Sequence, residues 1–393
     1  MANFKTSYLL KRGTYDRTIV ANDCDDCRVR PDRMRPHYLP SSTSPFSSEL
    51  RREVAAYLAS ELDHRFGNAL TWLKAGSLLA LACVLFVACL RVGNAAAFLA
   101  SYIGMFLAAV MLSVNSMHDA SHGALSRFRW LNTLVMRAVT LPLGIEPVYW
   151  QARHVFYHHA YPNIEHHDLD TEANIFLRQT PFQAWYPHFR FQHYYWPAIA
   201  ALSLPYINWI YDWSDRLGKT PLAQDRLLPG LRGWVVFVAS KLIHFGVFLL
   251  LPLALQGHTV GYGTVFAAYV AGQTLASCIL LMLILGTHWA ETQFYLLPGS
   301  GRLPHTRDEH AFLTCCDWVT RPAFIGAWLG GLNHHLTHHL FPGYGHRHYA
   351  AIARIVERLA QQHGLPYRAI GYAELLASQQ RFLRQMGQPP GNP

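Results

Sequence analysis

AAAFLASYIGMFLAAVMLSVNSMHDASHG, residues 95–123, decides the fold. Its first 20 residues, Ala95 to Val114, carry no charge and, as a helix, are long enough to cross about 30 Å of hydrocarbon. The same helix runs on through Asn115, Ser116 and Met117 into His118 and His122, two imidazoles one helical turn apart. A membrane span therefore carries a pair of metal-capable side chains to one edge of the bilayer.

A second apolar run precedes it, Trp72 to Leu90, with Lys74 as its one charge and Arg91-Val92-Gly93-Asn94 as the turn between the two. A later pair, Trp234 to Leu255 and Thr264 to Gly286, is separated by residues 256–263. With 51% apolar and only 15% charged residues, the chain does not read as two soluble domains. The expected class is an all-α membrane protein with four transmembrane helices, at about 72–90, 95–114, 234–255 and 264–286, paired as two hairpins.

Both hairpin turns are too short to hold a domain, so residues 1–70, 115–233 and 287–393 share one side of the membrane. That side holds nearly all of the 33 Lys and Arg residues, whereas the opposite turns carry only Arg91. Positive residues stay cytoplasmic, which places a helical cap in the cytoplasm. The net charge of +9 fits a cap lying against anionic lipid. No compact basic domain or nucleic-acid motif is present, and 28 of the 33 basic residues are Arg, a bias that points to a GC-rich bacterial genome; the expected location is a bacterial inner membrane.

Three regions are expected: a polar N-terminal arm over 1–48, a membrane domain over 49–370 and a C-terminal tail over 371–393. The arm is rich in Ser and carries Pro31, Pro36, Pro40 and Pro45, which suits extended chain, and it has no apolar core of a cleavable signal. Glu49 to Phe66 reads as a helix along the membrane surface. Residues 134–149 are apolar but broken by Pro142, Gly144 and Pro147, and so read as re-entrant or surface chain. Pro197 to Trp213 follows an aromatic belt and reads as interfacial, because a fifth crossing would separate the histidine clusters. Ile352, Ile355, Val356 and Leu359 form the apolar stripe of a helix that packs and does not span. The seven cysteines make no disulfide framework, and Cys24-Asp25-Asp26-Cys27 lacks the second pair that a closed metal site needs.

His118 and His122 form the first of three boxes. The second is His154, His158 and His159. The third lies in Gly330-Gly331-Leu332-Asn333-His334-His335-Leu336-Thr337-His338-His339-Leu340-Phe341-Pro342, where His335, His338 and His339 share one helical face. A lone histidine among the 23 in the chain is more often an ordinary hydrogen-bonded group, but eight in three boxes beside apolar spans form a ligand set. The fourth span exits at His288, level with the first box, which makes a ninth candidate. Lys241 and His244 in the third span read as a lysine snorkelling to the interface and a histidine bonded to a neighbouring helix. Spacing alone leaves iron, copper and zinc open.

Three motifs, HDxxHG at His118 to Gly123, W-x3-H-x3-HH at Trp150 to His159 followed by Pro162-Asn163 and Asp168-x-Asp170, and GGLN-x4-HHLFP at Gly330 to Pro342, resemble the membrane-bound fatty acid desaturase and hydroxylase superfamily, nearest its acyl-lipid desaturase branch. The likeness runs over about residues 70–370. It implies a centre of two iron ions held by His118, His122, His154, His158, His159, His288, His335, His338 and His339, with Asp119, Asn163, Asp168 and Asp170 orienting imidazoles from behind. The superfamily commonly has Gln where this chain has His335. Its stearoyl-type members place Asn where Ile284 stands, so no ligand is carried over there. The implied reaction uses dioxygen and two electrons to desaturate an acyl chain of a lipid or thioester; hydroxylation is the alternative within the superfamily.

From other classes, a membrane zinc hydrolase would need the general-base Glu of HExxH where Asp119 stands, and a metal transporter would need ligands inside the bilayer. No nucleotide-binding GxGxxG or four-cysteine cluster is present, so a separate electron donor, a ferredoxin or cytochrome with its reductase, is expected on the cytoplasmic face. Nucleic acid is not an expected partner.

Overall fold

The computed structural model describes residues 35–60 and 63–390. Most of the polar arm, with Cys24 and Cys27, and the last three residues of the tail lie outside them.

Four helices among the described residues are long and apolar enough to cross a membrane: Ala69–Cys89, Ala95–Ser121, Gly230–Val260 and Tyr262–His288. Their starts follow from caps. Asn68 Oδ1 accepts the amide of Thr71 at 3.0 Å ahead of α2 (Ala69–Cys89), and Asn94 Oδ1 accepts the amide of Ala97 at 2.9 Å ahead of α3 (Ala95–Leu112). Each satisfies one of the amides that a helix start leaves without a partner. Past α3, a π-helical stretch at Ser113–Met117 leads without a break into α4 (His118–Ser121). The second hairpin is α9 (Gly230–Phe245), joined by a π stretch at Gly246–Leu250 to α10 (Leu251–Val260), and then α11 (Tyr262–Ile284). Of the most apolar stretch of each span, 44% is buried in Ala95–Ser121 and 33% in Tyr262–His288, against 17% in Ala69–Cys89 and 22% in Gly230–Val260, so α3 and α11 form the inner pair. Phe98, Tyr102, Phe106 and Tyr269 pack between them, and Tyr102 donates its hydroxyl to the Phe248 carbonyl in the π stretch.

Between the hairpins, α5 (Arg129–Thr140) and α6 (Pro147–Gln151) flank the turn at Pro142 and Gly144, so this apolar stretch does not span. Next comes α7 (Gln192–Tyr206), which continues through a π stretch into α8 (Asp212–Arg216). Pro205 cannot donate within α7, and the Ser277 hydroxyl of α11 joins the ladder there, accepting the Leu204 amide at 2.9 Å and donating to the Ala200 carbonyl. The expected snorkelling of Lys241 does not occur. Its ammonium is buried and bonds the Gly144 carbonyl at 2.6 Å and Asp212 at 2.8 Å, because a carboxylate 29 residues upstream in sequence folds against it. His244 does bond neighbouring elements, through the Leu141 carbonyl at 2.8 Å and the Tyr269 hydroxyl at 2.7 Å.

The cap is built from both chain ends. Strand β1 (His37–Leu39) pairs in parallel with β2 (Arg302–Thr306), and β3 (Asp317–Val319) pairs in parallel with β4 (Ala369–Gly371). Helix α1 spans Pro45–Ser60, starting four residues before the Glu49 read from sequence, with Pro45 at the first helical position where its missing amide costs nothing. Helices α12 (Arg307–Thr314), α13 (His335–Leu340), α14 (Tyr349–His363) and α15 (Tyr372–Met386) complete the cap. Leu50 and Val54 of α1, Ile352 and Val356 of α14 and Phe312 of α12 enclose Leu336 and Leu340 of α13 in one core. Each such buried leucine contributes about 1.5–3 kcal/mol. The short helix that carries the third box is thus anchored on its apolar side.

Candidate metal centre

The continuous α3–α4 helix sets His118 and His122 at the end of a span. Box two begins on α6, which Pro147 opens, and lies in a π-helical stretch at Ala152–His158. There the His159 amide bonds the His154 carbonyl at 2.9 Å, the i→i+5 repeat that brings His154, His158 and His159 to one side. Trp150 stacks on His154 with ring centroids 4.4 Å apart. The charge of Arg153, buried beside the box, is met by Asp215 and by Asp212 at 3.5 Å.

Box three needs its two glycines. Gly330 (φ +56°) and Gly331 (φ +78°) hold left-handed backbone, and a Cβ on Gly330 would lie 2.2 Å from the Val114 carbonyl oxygen of the box-one helix. Asp317 then caps α13 from β3, accepting the amides of Leu336 at 2.7 Å and Thr337 at 3.3 Å and the Thr337 hydroxyl at 3.0 Å. Burial pushes the Asp317 carboxyl up to about 7, against the lowering effect of these donors.

These elements bring eight of the nine candidate histidines into two groups of four, His118, His122, His154 and His338 in one and His158, His288, His335 and His339 in the other. Within each group the candidate ligand atoms lie within 4.8 Å of one another. His159, the ninth, stands between the groups, with its Nε2 3.2 Å from His154 Nε2 and its ring 4.1 Å from that of His339. His335 Nε2 and His288 Nε2 are 2.6 Å apart.

Several of these nitrogens are buried with no hydrogen-bond partner among the described residues, including His122 Nε2, His338 Nε2, His339 Nε2 and His335 Nδ1. An orphaned buried nitrogen carries a desolvation cost of about 1–3 kcal/mol, and so many in one place suit ligation of a cation. The electrostatics agree. Burial and then the neighbouring imidazoles hold His122, His154, His159, His335, His338 and His339 well below the ordinary histidine range, so these rings stay neutral with lone pairs available. At His158 burial also disfavours charge, but the Asp168 and Asp170 carboxylates outweigh it and raise the ring to about 9. All-imidazole sets of this kind fit iron, copper or zinc.

Of the four residues expected behind the imidazoles, Asp168 has its carboxylate 3.1 Å from His158 Nδ1 and also accepts the Asn163 amide at 2.9 Å. Asp170 lies farther from the same nitrogen, at 3.6 Å. Asn163 bonds the His288 carbonyl at 3.1 Å and not an imidazole. Asp119 binds no box histidine; it accepts from His346 Nδ1 at 2.8 Å and from the His346 amide at 3.1 Å. Position i+1 on a helix points away from the face that i and i+4 share, which is why neighbouring His118 in sequence did not make Asp119 its partner.

Sequence reading missed three groups. The Thr314 carbonyl lies 3.0 Å from His288 Nδ1, the Tyr349 hydroxyl lies 2.8 Å from His338 Nδ1, and Asp317 caps α13. No periodicity signals the first two. The short helix behind a Gly-Gly turn was the one available hint of an external cap.

A family model described as fatty acid desaturase matches residues 93–371. The chain is 29% identical over 336 residues to the sn-1 linoleoyl-lipid 6-desaturase of Arthrospira platensis, covering 82% of this chain and 87% of that protein. It is 29% identical over 292 residues to the sn-1 linoleoyl-lipid 6-desaturase of a Synechocystis species, covering 72% and 78%. With the acyl-lipid (8-3)-desaturase of Physcomitrium patens it shares 28% over 278 residues, covering 69% of this chain and 56% of that one. A match over most of the chain, on a four-span membrane scaffold that gathers the three histidine boxes, means that this protein belongs to the fatty acid desaturase family and is a desaturase-type oxidoreductase.

Proposed function

We propose that the protein desaturates an acyl chain carried on a membrane lipid, using dioxygen and two electrons at a centre of two irons. The observation that carries this reading is the pair of four-histidine groups, buried and holding orphaned nitrogens, at the ends of membrane spans. His118, His122, His154 and His338 would hold one ion and His158, His288, His335 and His339 the other, with His159 between them. When bound, the irons supply the reduction of dioxygen and the removal of hydrogen from an unactivated C–H bond, work beyond any side chain. Burial keeps His122, His154, His159, His335, His338 and His339 neutral, and the surrounding residues fix the rings' orientation and shield them from water. Asp168 holds the proton of His158 on Nδ1, which leaves Nε2 free, and the Thr314 carbonyl does the same for His288.

The acyl substrate follows from two supports. The names of the relatives specify lipid-linked acyl chains, and box one continues directly from a span, so a chain in the hydrocarbon layer lies beside it. Electrons come from a separate reduced carrier, a ferredoxin or cytochrome, steered by the arginines of the boxed side. That side faces the cytoplasm of a bacterial inner membrane.

The test is metal analysis of the purified protein, followed by dioxygen uptake and lipid analysis with NAD(P)H, a reductase and a carrier, each omitted in turn. About two irons per chain and carrier-dependent formation of a new double bond are expected. A hydroxylated product overturns the desaturation reading. A zinc-only protein overturns the iron centre, and turnover without the carrier overturns the need for a partner.

A further inference from the structure

Between α5 and the first turns of α9 lies a cleft of about 400 Å3. Its polar wall is Arg137, Arg226, Arg232 and Thr133, and its apolar wall includes Leu228 and Val236. Arg137 is steadied from behind by Glu146 at 3.2 Å, and Glu146 in turn accepts the Ser240 hydroxyl at 3.0 Å. The Arg226 guanidinium sits 4.6 Å over the ring of Phe156, which holds it in place without neutralising it. Arg232 belongs to the first turn of a span that starts at Gly230, so the cleft lies where a lipid phosphate would. On the same span Leu231 is 79% and Val235 58% exposed, an apolar surface suited to acyl chains.

We propose that this cleft binds the phosphate of an anionic membrane phospholipid, whose acyl chains lie along the exposed side of α9. Three guanidiniums against one carboxylate leave an excess of positive charge, and guanidinium pairs with phosphate bidentately. A soluble phosphate would leave the apolar wall uncovered, which is why a lipid is the occupant. Phe156 stands between His154 and His158 in the chain, so the cleft backs on to the segment that carries box two, and an occupant would steady that segment. The proposal concerns binding and does not depend on the chemistry of the histidine centre.

The experiment uses full-length, delipidated protein in neutral detergent, with binding read by thermal melting and native mass spectrometry. Phosphatidylglycerol is expected to bind and raise the melting temperature, whereas phosphatidylcholine and inorganic phosphate at equal concentration are not. In R226Q/R232Q, which alters two exposed residues, the affinity for phosphatidylglycerol should fall roughly thirtyfold, at about one kcal/mol per arginine near a lipid surface. The melting temperature without lipid should be unchanged. An R302Q/R384Q variant removes the same charge elsewhere and should bind as the parent does. Equal loss in that variant, no loss in R226Q/R232Q, or equal binding of phosphatidylcholine or of inorganic phosphate would each overturn the site. Should the double variant fail to fold, R232Q alone, with an expected fivefold loss, decides the matter in the same way.

Discussion

In the group of His158, His288, His335 and His339, two imidazoles are backed by hydrogen-bond acceptors: Asp168 at 3.1 Å from His158 and the Thr314 carbonyl at 3.0 Å from His288. In the group of His118, His122, His154 and His338, the Tyr349 hydroxyl at 2.8 Å backs His338, while Trp150 stacks on His154. Both groups hold buried nitrogens with no hydrogen-bond partner among the described residues, His118 Nδ1 and His122 Nε2 in this one and His335 Nδ1 and His339 Nε2 in the other. One group is therefore backed by a carboxylate and a carbonyl, and the other by a neutral hydroxyl, helix continuity and ring packing. A charged acceptor raises the basicity of the imidazole behind a metal, and a stacked ring does not. Equal numbers of imidazoles need not make equal sites.

The largest expected effect tests what the groups share. Replacing His118, His158 or His339 by Ala should leave no measurable turnover in product analysis, while the protein remains in the membrane fraction, since no apolar span changes. If a variant in one group kept activity and those in the other lost it, only one group would be needed for the reaction. The next effect separates them. D168N should lower iron affinity or activity by about 10–100-fold. Y349F, which removes a neutral hydroxyl bond of about 1 kcal/mol, should cost about fivefold. Titration with a competing chelator measures both, and a larger loss in Y349F would reverse the ranking of the two groups.

A smaller effect concerns pH. Imidazoles held well below their unfolded value of about 6.5 bind fewer protons in the folded state than in the unfolded one, so stability rises with pH there. The metal-free protein should lose melting temperature as pH falls below about 6.5; the raised Asp317 carboxyl, at about 7, opposes part of this loss, while His158, raised to about 9, acts only at higher pH, where its contribution is lost as pH rises through about 9. A melting temperature that stays flat from neutrality into the acid range would contradict the burial on which the comparison rests. The smallest effect is at the bystanders. H166A, H167A and H334A should each change turnover by less than about twofold, about ±0.5 kcal/mol, since none of the three belongs to either histidine group. A loss equal to that of the ligand variants would show that the wrong imidazoles had been grouped.

The spans were legible because a bilayer demands about 20 apolar residues in a row and a sequence displays that directly. The boxes were legible because a helix repeats in i and i+4. His288 could be placed because it ends a span. What stayed hidden depends on chain segments that meet only in the fold: Tyr349 is 11 residues from His338, Thr314 is 26 from His288, and Asp317 is 19 from Leu336. Asp119 misled in the other direction, since adjacency to His118 suggested a shared task and helix geometry turned it towards His346. The π-helical course of box two was likewise invisible, because its spacing reads equally well on an α-helix.

Both histidine groups draw on the short helix α13, His338 in one and His335 with His339 in the other. During biosynthesis the spans and the first two boxes leave the ribosome long before that helix does, and the parallel pairing of β1 with β2 also waits for residues 302–306. No ion can therefore be held by a full group until almost the whole chain has emerged and α13 has docked. A nascent chain stalled ahead of residue 335 would sit in the membrane with its hairpins formed and both histidine groups incomplete. On the proposed metal reading, a complete ligand group exists only once α13 has docked, so metal bound per chain would count the chains in which that helix is in place.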